Sequence, residues 1–103
     1  MVNVAMLGAS GRMGRTIIPL LHEAADLRLS GALAAPGDTA IGQDAGVLSG
    51  IAPLAMPITD EPAVALRGAE VAIDFTLPAA SIRHATLCIG QACGMVIGTT
   101  GHD

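Results

Sequence analysis

The chain has 103 residues, 51% of them hydrophobic and 14% charged, with nine acids against five arginines, no lysine and a formal net charge of −4. That balance, with Phe75 as the single aromatic, excludes general nucleic-acid binding, which needs clustered basic side chains or stacking platforms. A mean hydropathy of +0.60 fits strands buried on both faces, yet no uninterrupted apolar run approaches the roughly 18 residues that suggest a membrane span.

One domain is expected at this length. The N-terminus lacks the basic stretch and long apolar core of a signal peptide, so cytoplasmic residence is the expectation. Residues 2–7 read as the first strand and residues 12–25 as the first helix, with Ile17, Leu20, Leu21 and Ala24 as its sheet-facing stripe. Pro19 interrupts that stripe and predicts a kink or a local break. Residues 27–33 form the second strand, and the Gly-, Ala- and Pro-rich stretch 36–54 is mostly loop with a turn of helix. A short third strand follows at 55–58. Thr59 or Asp60 then N-caps a helix whose first turn holds Glu61 and Pro62, and which stops near Gly68. The fourth strand spans 70–75, its helix 78–92, with Gly94 ending it, and the fifth strand 95–97. Alternation of this kind implies an α/β, Rossmann-like parallel sheet of about five strands, order 3-2-1-4-5, with helices on both faces.

The most telling local feature joins the first strand to the first helix. Gly8-Ala9-Ser10-Gly11-Arg12-Met13-Gly14 is a variant of the glycine fingerprint of dinucleotide-binding turns, with Ala9 and Ser10 where the middle glycine would fall. Gly8 permits the tight turn, Gly11 lets backbone approach a pyrophosphate, and Gly14 lets the helix pack on the strand. The backbone amides that open the helix would face the phosphates, aided by the helix dipole. Arg12 is either a charge-assisted phosphate contact or a solvated first-turn arginine. Ser10 either donates to a phosphate or shapes the turn.

Further blocks keep order with this turn: Leu29-Ser30-Gly31-Ala32-Leu33, Ile41-Gly42-Gln43-Asp44-Ala45-Gly46, Ala72-Ile73-Asp74-Phe75-Thr76 and Gly94-Met95-Val96-Ile97-Gly98-Thr99-Thr100-Gly101. Together they resemble the N-terminal region of the dihydrodipicolinate reductase family, enzymes of lysine and diaminopimelate biosynthesis, over nearly the whole chain. The resemblance implies an NADH- or NADPH-dependent oxidoreductase of amino-acid biosynthesis. Residues 1–103 would be its incomplete dinucleotide-binding domain. The substrate and oligomerisation domain, and the catalytic histidine and lysine pair, would lie beyond it. No catalytic residue is therefore assigned here, and the chain alone is expected to be inactive.

The resemblance also implies a cofactor site of Gly8, Ala9, Ser10, Gly11, Arg12 and Met13, with Gly98, Thr99 and Thr100 at the nicotinamide end and Thr100 nearest the substrate. Phe75 and Thr76 are weaker members of this cleft, and Phe75 reads equally as a core residue. Asp74 reads as a structural cap or a buried hydrogen-bond acceptor. Where an acid and an arginine would close the second strand, this chain has Ala34 and Ala35, leaving the choice of NADH or NADPH open. Asp38 in the following loop is the candidate to substitute for that acid. The fifth strand is expected to be an unprotected edge that invites dimerisation, which light scattering would reveal.

Other polar residues carry less. Cys88 and Cys93 fit neither a redox nor a zinc spacing and read as small buried hydrophobes. His22 and His84 read as helix-surface residues, His102 receives no role, and no metal site is expected. The alternatives to a reductase domain are a non-catalytic nucleotide-binding or scaffold module, and an incomplete domain that binds nothing tightly.

Overall fold

The computed structural model describes residues 2–74 and 94–97. Alternation along β1 (Val2–Leu7) sets the layout, because neighbouring side chains on a strand point to opposite faces. Val4 and Met6 enter one buried cluster, Ala5 and Leu7 the other. The helix α1 (Arg12–Glu23) and the single turn α2 (Ala45–Leu48) cover the first face; α3 (Pro62–Ala65) covers the second. The strands β2 (Leu27–Leu33), β3 (Val71–Asp74) and β4 (Gly94–Ile97) join β1 in a parallel sheet of order β2-β1-β3-β4. This is a Rossmann-like α/β arrangement with helices on both faces.

β2 changes phase part-way along. Val4 pairs with Leu29 but Ala5 pairs with Gly31, so Ser30 is an extra residue, a β-bulge. Leu29 therefore faces the α1 side, whereas Gly31, two residues on, lies against Ala65 of α3. Without the bulge both would share a face. Beside Ala65, Gly31 has no room for a side chain: an added methyl would collide with the Ala65 carbonyl oxygen.

The anticipated stripe of α1 is rotated. Gly14, Ile18 and Leu21 are its buried residues, while Leu20 is 59% exposed. A face at i, i+4, i+7 satisfies packing as well as the expected one and places Leu20 in solvent. The helix ends at Glu23 rather than near residue 25 and runs without a break across Pro19. The carbonyl deprived of a donor belongs to exposed Arg15, so solvent can accept the loss.

The third strand predicted at 55–58 does not form. Its polar backbone is taken by residues 42–45: Gly42 N–H donates to Ile58 O at 2.8 Å, Ala45 N–H to Met56 O at 2.8 Å and Ile58 N–H to Gln43 O at 2.9 Å. Asp44 and Pro57 form an antiparallel bridge, and contact with β2 reduces to one parallel bridge between Leu33 and Thr59. Pro57 offers no N–H to a ladder, which favours such a short irregular pairing. The sheet thus has four described strands, in the order expected for the first, second, fourth and fifth. The N-cap of α3 is Glu61, one residue past the expected position; Thr59 assists by accepting from Glu61 N–H at 3.1 Å, and Pro62 opens the helix as read. Gly68 closes that region with a φ of +75°, the left-handed conformation that favours glycine. The fourth strand is described from Val71 and the fifth from Gly94. The helix expected at 78–92, together with Phe75, Thr76, His84, Cys88, Cys93 and His102, lies outside the described residues.

Asp44 organises the 42–58 loop, a role the sequence reading did not anticipate. One carboxylate oxygen accepts from Val47 N–H and Leu54 N–H, each at 3.0 Å, and the other from Met56 N–H at 2.8 Å. The Leu54 and Met56 amides, and then those of Val47 and Gly46, hold its carboxyl below the ordinary carboxylate range against an opposing cost of burial. A carboxyl depressed in the folded state stabilises above its unfolded pKa of about 4, and that contribution is lost as pH falls through the lower folded value. Asp44→Ala is therefore expected to lower the thermal midpoint at neutral pH, with the gap to wild type narrowing below pH ~4. A constant gap from pH 7 to 3 in thermal melts would show that the charge is not what ties the loop.

Candidate functional site

Because β2 lies on one side of β1 and β3 on the other, successive crossovers diverge from β1. In open α/β sheets ligands bind at such a switch point, beyond the carboxyl ends of the strands. The glycine turn stands there. Leu7 is in register with Asp74, and Asp74 with Ile97, so the three strands end level. Asp74, fully buried, occupies the centre of that row. Residues 75–76 and 98–100 follow directly from two of those ends but lie outside the described residues.

The turn is built by backbone. Gly8 has a φ of +86°, which a side chain would disfavour, and its N–H and that of Ala9 both donate to Leu33 O, at 2.9 and 2.8 Å. Gly11 N–H returns to Gly8 O at 3.1 Å. Gly14 presses against this loop: a methyl there would collide with Gly8 O and lie 2.8 Å from Ala9 Cα. Gly11 differs. A methyl on it would meet Gly8 O at 3.4 Å, an ordinary contact, and its φ of −75° suits any residue. The fold itself therefore does not require glycine at position 11, and a Cβ there would meet no other heavy atom of the described residues within 4 Å.

Gly11 is also the N-cap of α1, and no side chain caps the helix. The amides of the first turn have no intrahelical acceptor by construction, and there is no acidic residue in that turn to neutralise them. A 12-residue helix with this exposed positive end suits a phosphate. Arg12 and Met13 are exposed beside it, whereas Ala9 is buried beneath the turn.

Ser10 points to another partner. Its Oγ donates to Asp38 Oδ2 at 2.7 Å, and Ala40 N–H donates to Asp38 Oδ1 at 2.8 Å. The hydroxyl proton thus ties the glycine turn to the loop after β2. The Ala40 amide, then the Ser10 hydroxyl, hold the Asp38 carboxyl below the ordinary range. The pair is 28 residues apart in sequence, and no local pattern signals it. At the end of β2, Ala34 is buried and its N–H donates to Thr59 O at 2.9 Å, while Ala35 is exposed; neither offers a polar side chain.

Elsewhere, His22 is exposed on α1, as read. A groove of about 450 Å³ lined by His22, Leu27, Arg28, Leu54 and Met56 lies by the C-terminal end of α1 and the start of β2, at the other end of the sheet from the turn. Among the described residues no helix is long and apolar enough to cross a membrane, and no three metal-ligating side chains cluster.

Residues 2–103 match the sequence profile of the family described as "Dihydrodipicolinate reductase, N-terminus". Relatives named 4-hydroxy-tetrahydrodipicolinate reductase include one from Anaeromyxobacter sp. (strain Fw109-5), 50% identical over 101 residues. Others come from Nitrosomonas eutropha, 46% identical, and Geotalea daltonii, 45% identical, again over 101 residues. In each, 98% of this chain is matched, but it spans only 37 to 38% of the relative's length.

Proposed function

This chain belongs to the dihydrodipicolinate reductase family, matching its N-terminal region, and from that premise we propose that it is the NADH- or NADPH-binding part of a 4-hydroxy-tetrahydrodipicolinate reductase. The observation that carries the proposal is the turn itself. A glycine loop opens a 12-residue helix at the sheet's switch point, with no side chain or acid covering the first-turn amides. The Gly11 position leaves room before the turn that the fold does not need.

The site fits a pyrophosphate. The turn of Gly8, Ala9, Ser10, Gly11, Arg12 and Met13 would hold it: the amides that open the helix and the charge of Arg12 would face the phosphates, while Gly8 and Ala9, whose amides are bonded to Leu33 O, would shape the turn beneath them. Gly98, Thr99 and Thr100 would border the nicotinamide, with Phe75 and Thr76 beside the cleft and Thr100 nearest the substrate. The nicotinamide would supply a hydride to the cyclic unsaturated dicarboxylate. The proton donor is expected on parts of the longer relatives that this chain does not match, so these 103 residues alone should not reduce the substrate. Cytoplasmic residence, and pairing of copies along the β4 edge, belong to the same proposal.

Calorimetric titration of the chain with NADH and with NADPH tests the reading. Saturable binding of at least one, at roughly micromolar to submillimolar affinity, is expected for a pyrophosphate held mainly by backbone. No heat of binding with either at millimolar concentration would overturn it.

A further inference from the structure

We propose that Asp38 takes the ribose-binding place left vacant at the end of β2, and that it makes this chain favour NADH over NADPH; the proposal rests on the dinucleotide reading above. Dinucleotide sites of this architecture hold the adenosine ribose with an acid about 20 residues beyond the glycine turn. Here that stretch ends in Leu33, Ala34 and Ala35, with no polar side chain to offer. Asp38 lies three residues further on, yet its carboxylate is brought back to the turn by the Ser10 hydroxyl at 2.7 Å and fixed by the Ala40 amide at 2.8 Å.

The chemistry of that pair is selective. Each carboxylate oxygen has used one acceptor site and retains another, and the side chain is half-buried rather than covered. Adjacent ribose hydroxyls are two donors on one edge, suited to a carboxylate already oriented from its other side. The same two bonds hold its carboxyl below the usual range, so it is charged at neutral pH. A 2′-phosphate would bring negative charge and no donor to this carboxylate. The chain has no lysine to offset that repulsion. Among the described arginines, Arg28 is paired beside Asn3, and Arg67 precedes Gly68, whose carbonyl accepts from Asn3 Nδ2. Both therefore lie by the start of β1, away from the turn. Arg12 and Arg15 remain, both exposed on α1 at its pyrophosphate end.

The test is competition between NADH and NADPH for wild type, Asp38→Asn and Ser10→Ala, with AMP and 2′-phospho-AMP as probes of the adenosine end. Wild type should bind NADH at least about tenfold more tightly than NADPH, a difference readily resolved by calorimetry. Asp38→Asn should weaken NADH and AMP while leaving NADPH unchanged or tighter, bringing the ratio towards one. Ser10→Ala, which frees the carboxylate without removing it, should shift the ratio the same way but less. A purely structural Asp38 would weaken both dinucleotides alike, and that outcome would overturn the proposal. So would equal affinity of wild type for the two, a result readable even if the variants fold poorly. Wild type binding neither would remove the dinucleotide reading itself; binding both equally removes only the role of Asp38.

Discussion

Gly31→Ala is expected to cost about 3 kcal/mol or more of folding stability, near the upper end of what overpacking a core costs. An added methyl would run into the Ala65 carbonyl oxygen and lie 2.7 Å from the carbonyl carbon and 3.0 Å from Cα. These are backbone atoms of α3, and no rotamer change relieves them. Ala65 and its neighbour Leu66 are buried in the second core cluster, so relief means lifting α3 from β2. The entropic gain of replacing glycine in a strand, roughly 0.5–1 kcal/mol, is too small to offset this. For a domain of this size each kcal/mol moves the thermal midpoint by roughly 4–8 °C, so a fall of more than about 10 °C is expected. A variant that melts within a few degrees of wild type would mean that α3 does not sit on Gly31.

The second large effect separates two glycines of one motif. Gly11→Ala should change stability by no more than about 1 kcal/mol in either direction, because its φ of −75° and a 3.4 Å contact accept a methyl while alanine is the poorer N-cap. It should nonetheless weaken dinucleotide binding by about tenfold or more, since the methyl enters the space a phosphate needs. Gly14→Ala should do the reverse in order of cause. Its methyl collides with Gly8 O and crowds Ala9, so about 1–3 kcal/mol of stability is lost and binding fails with the turn. Denaturant unfolding beside calorimetry distinguishes them. If Gly11→Ala binds as wild type does, the phosphate does not approach that face of the turn.

Much of this was legible because it depends on neighbouring residues. The bounds of β1 and β2 follow from short apolar runs between turns, and the glycine turn announces both its shape and its place. What was not legible depends on contacts between distant segments. The choice of Ile18 over Leu20 as a core residue turns on the rotation of α1 about its axis, which a 3.6-residue period leaves loose by one position. The bulge at Ser30 has no local signature, although it decides that Gly31 rather than a larger residue meets α3. Residues 55–58 have strand-like composition, but the amides and carbonyls of 42–45 reach them first, with Asp44 as the clasp. The bonds of Asp44 to Leu54 and Met56, ten and twelve residues further on, have no local signature either. Asp38 could be named from the need for an acid, whereas its tie to Ser10 emerges only when the loop folds back.

The central claim, that the glycine turn is a dinucleotide site, is tested most directly by following backbone amide resonances while NADH is added. The amides of Ser10, Gly11, Arg12 and Met13 should shift together and saturate along one binding curve, with the Asp38–Ala40 segment moving in step. Absence of any saturable shift at millimolar NADH would contradict the claim. So would shifts confined to the groove around His22, Leu54 and Met56.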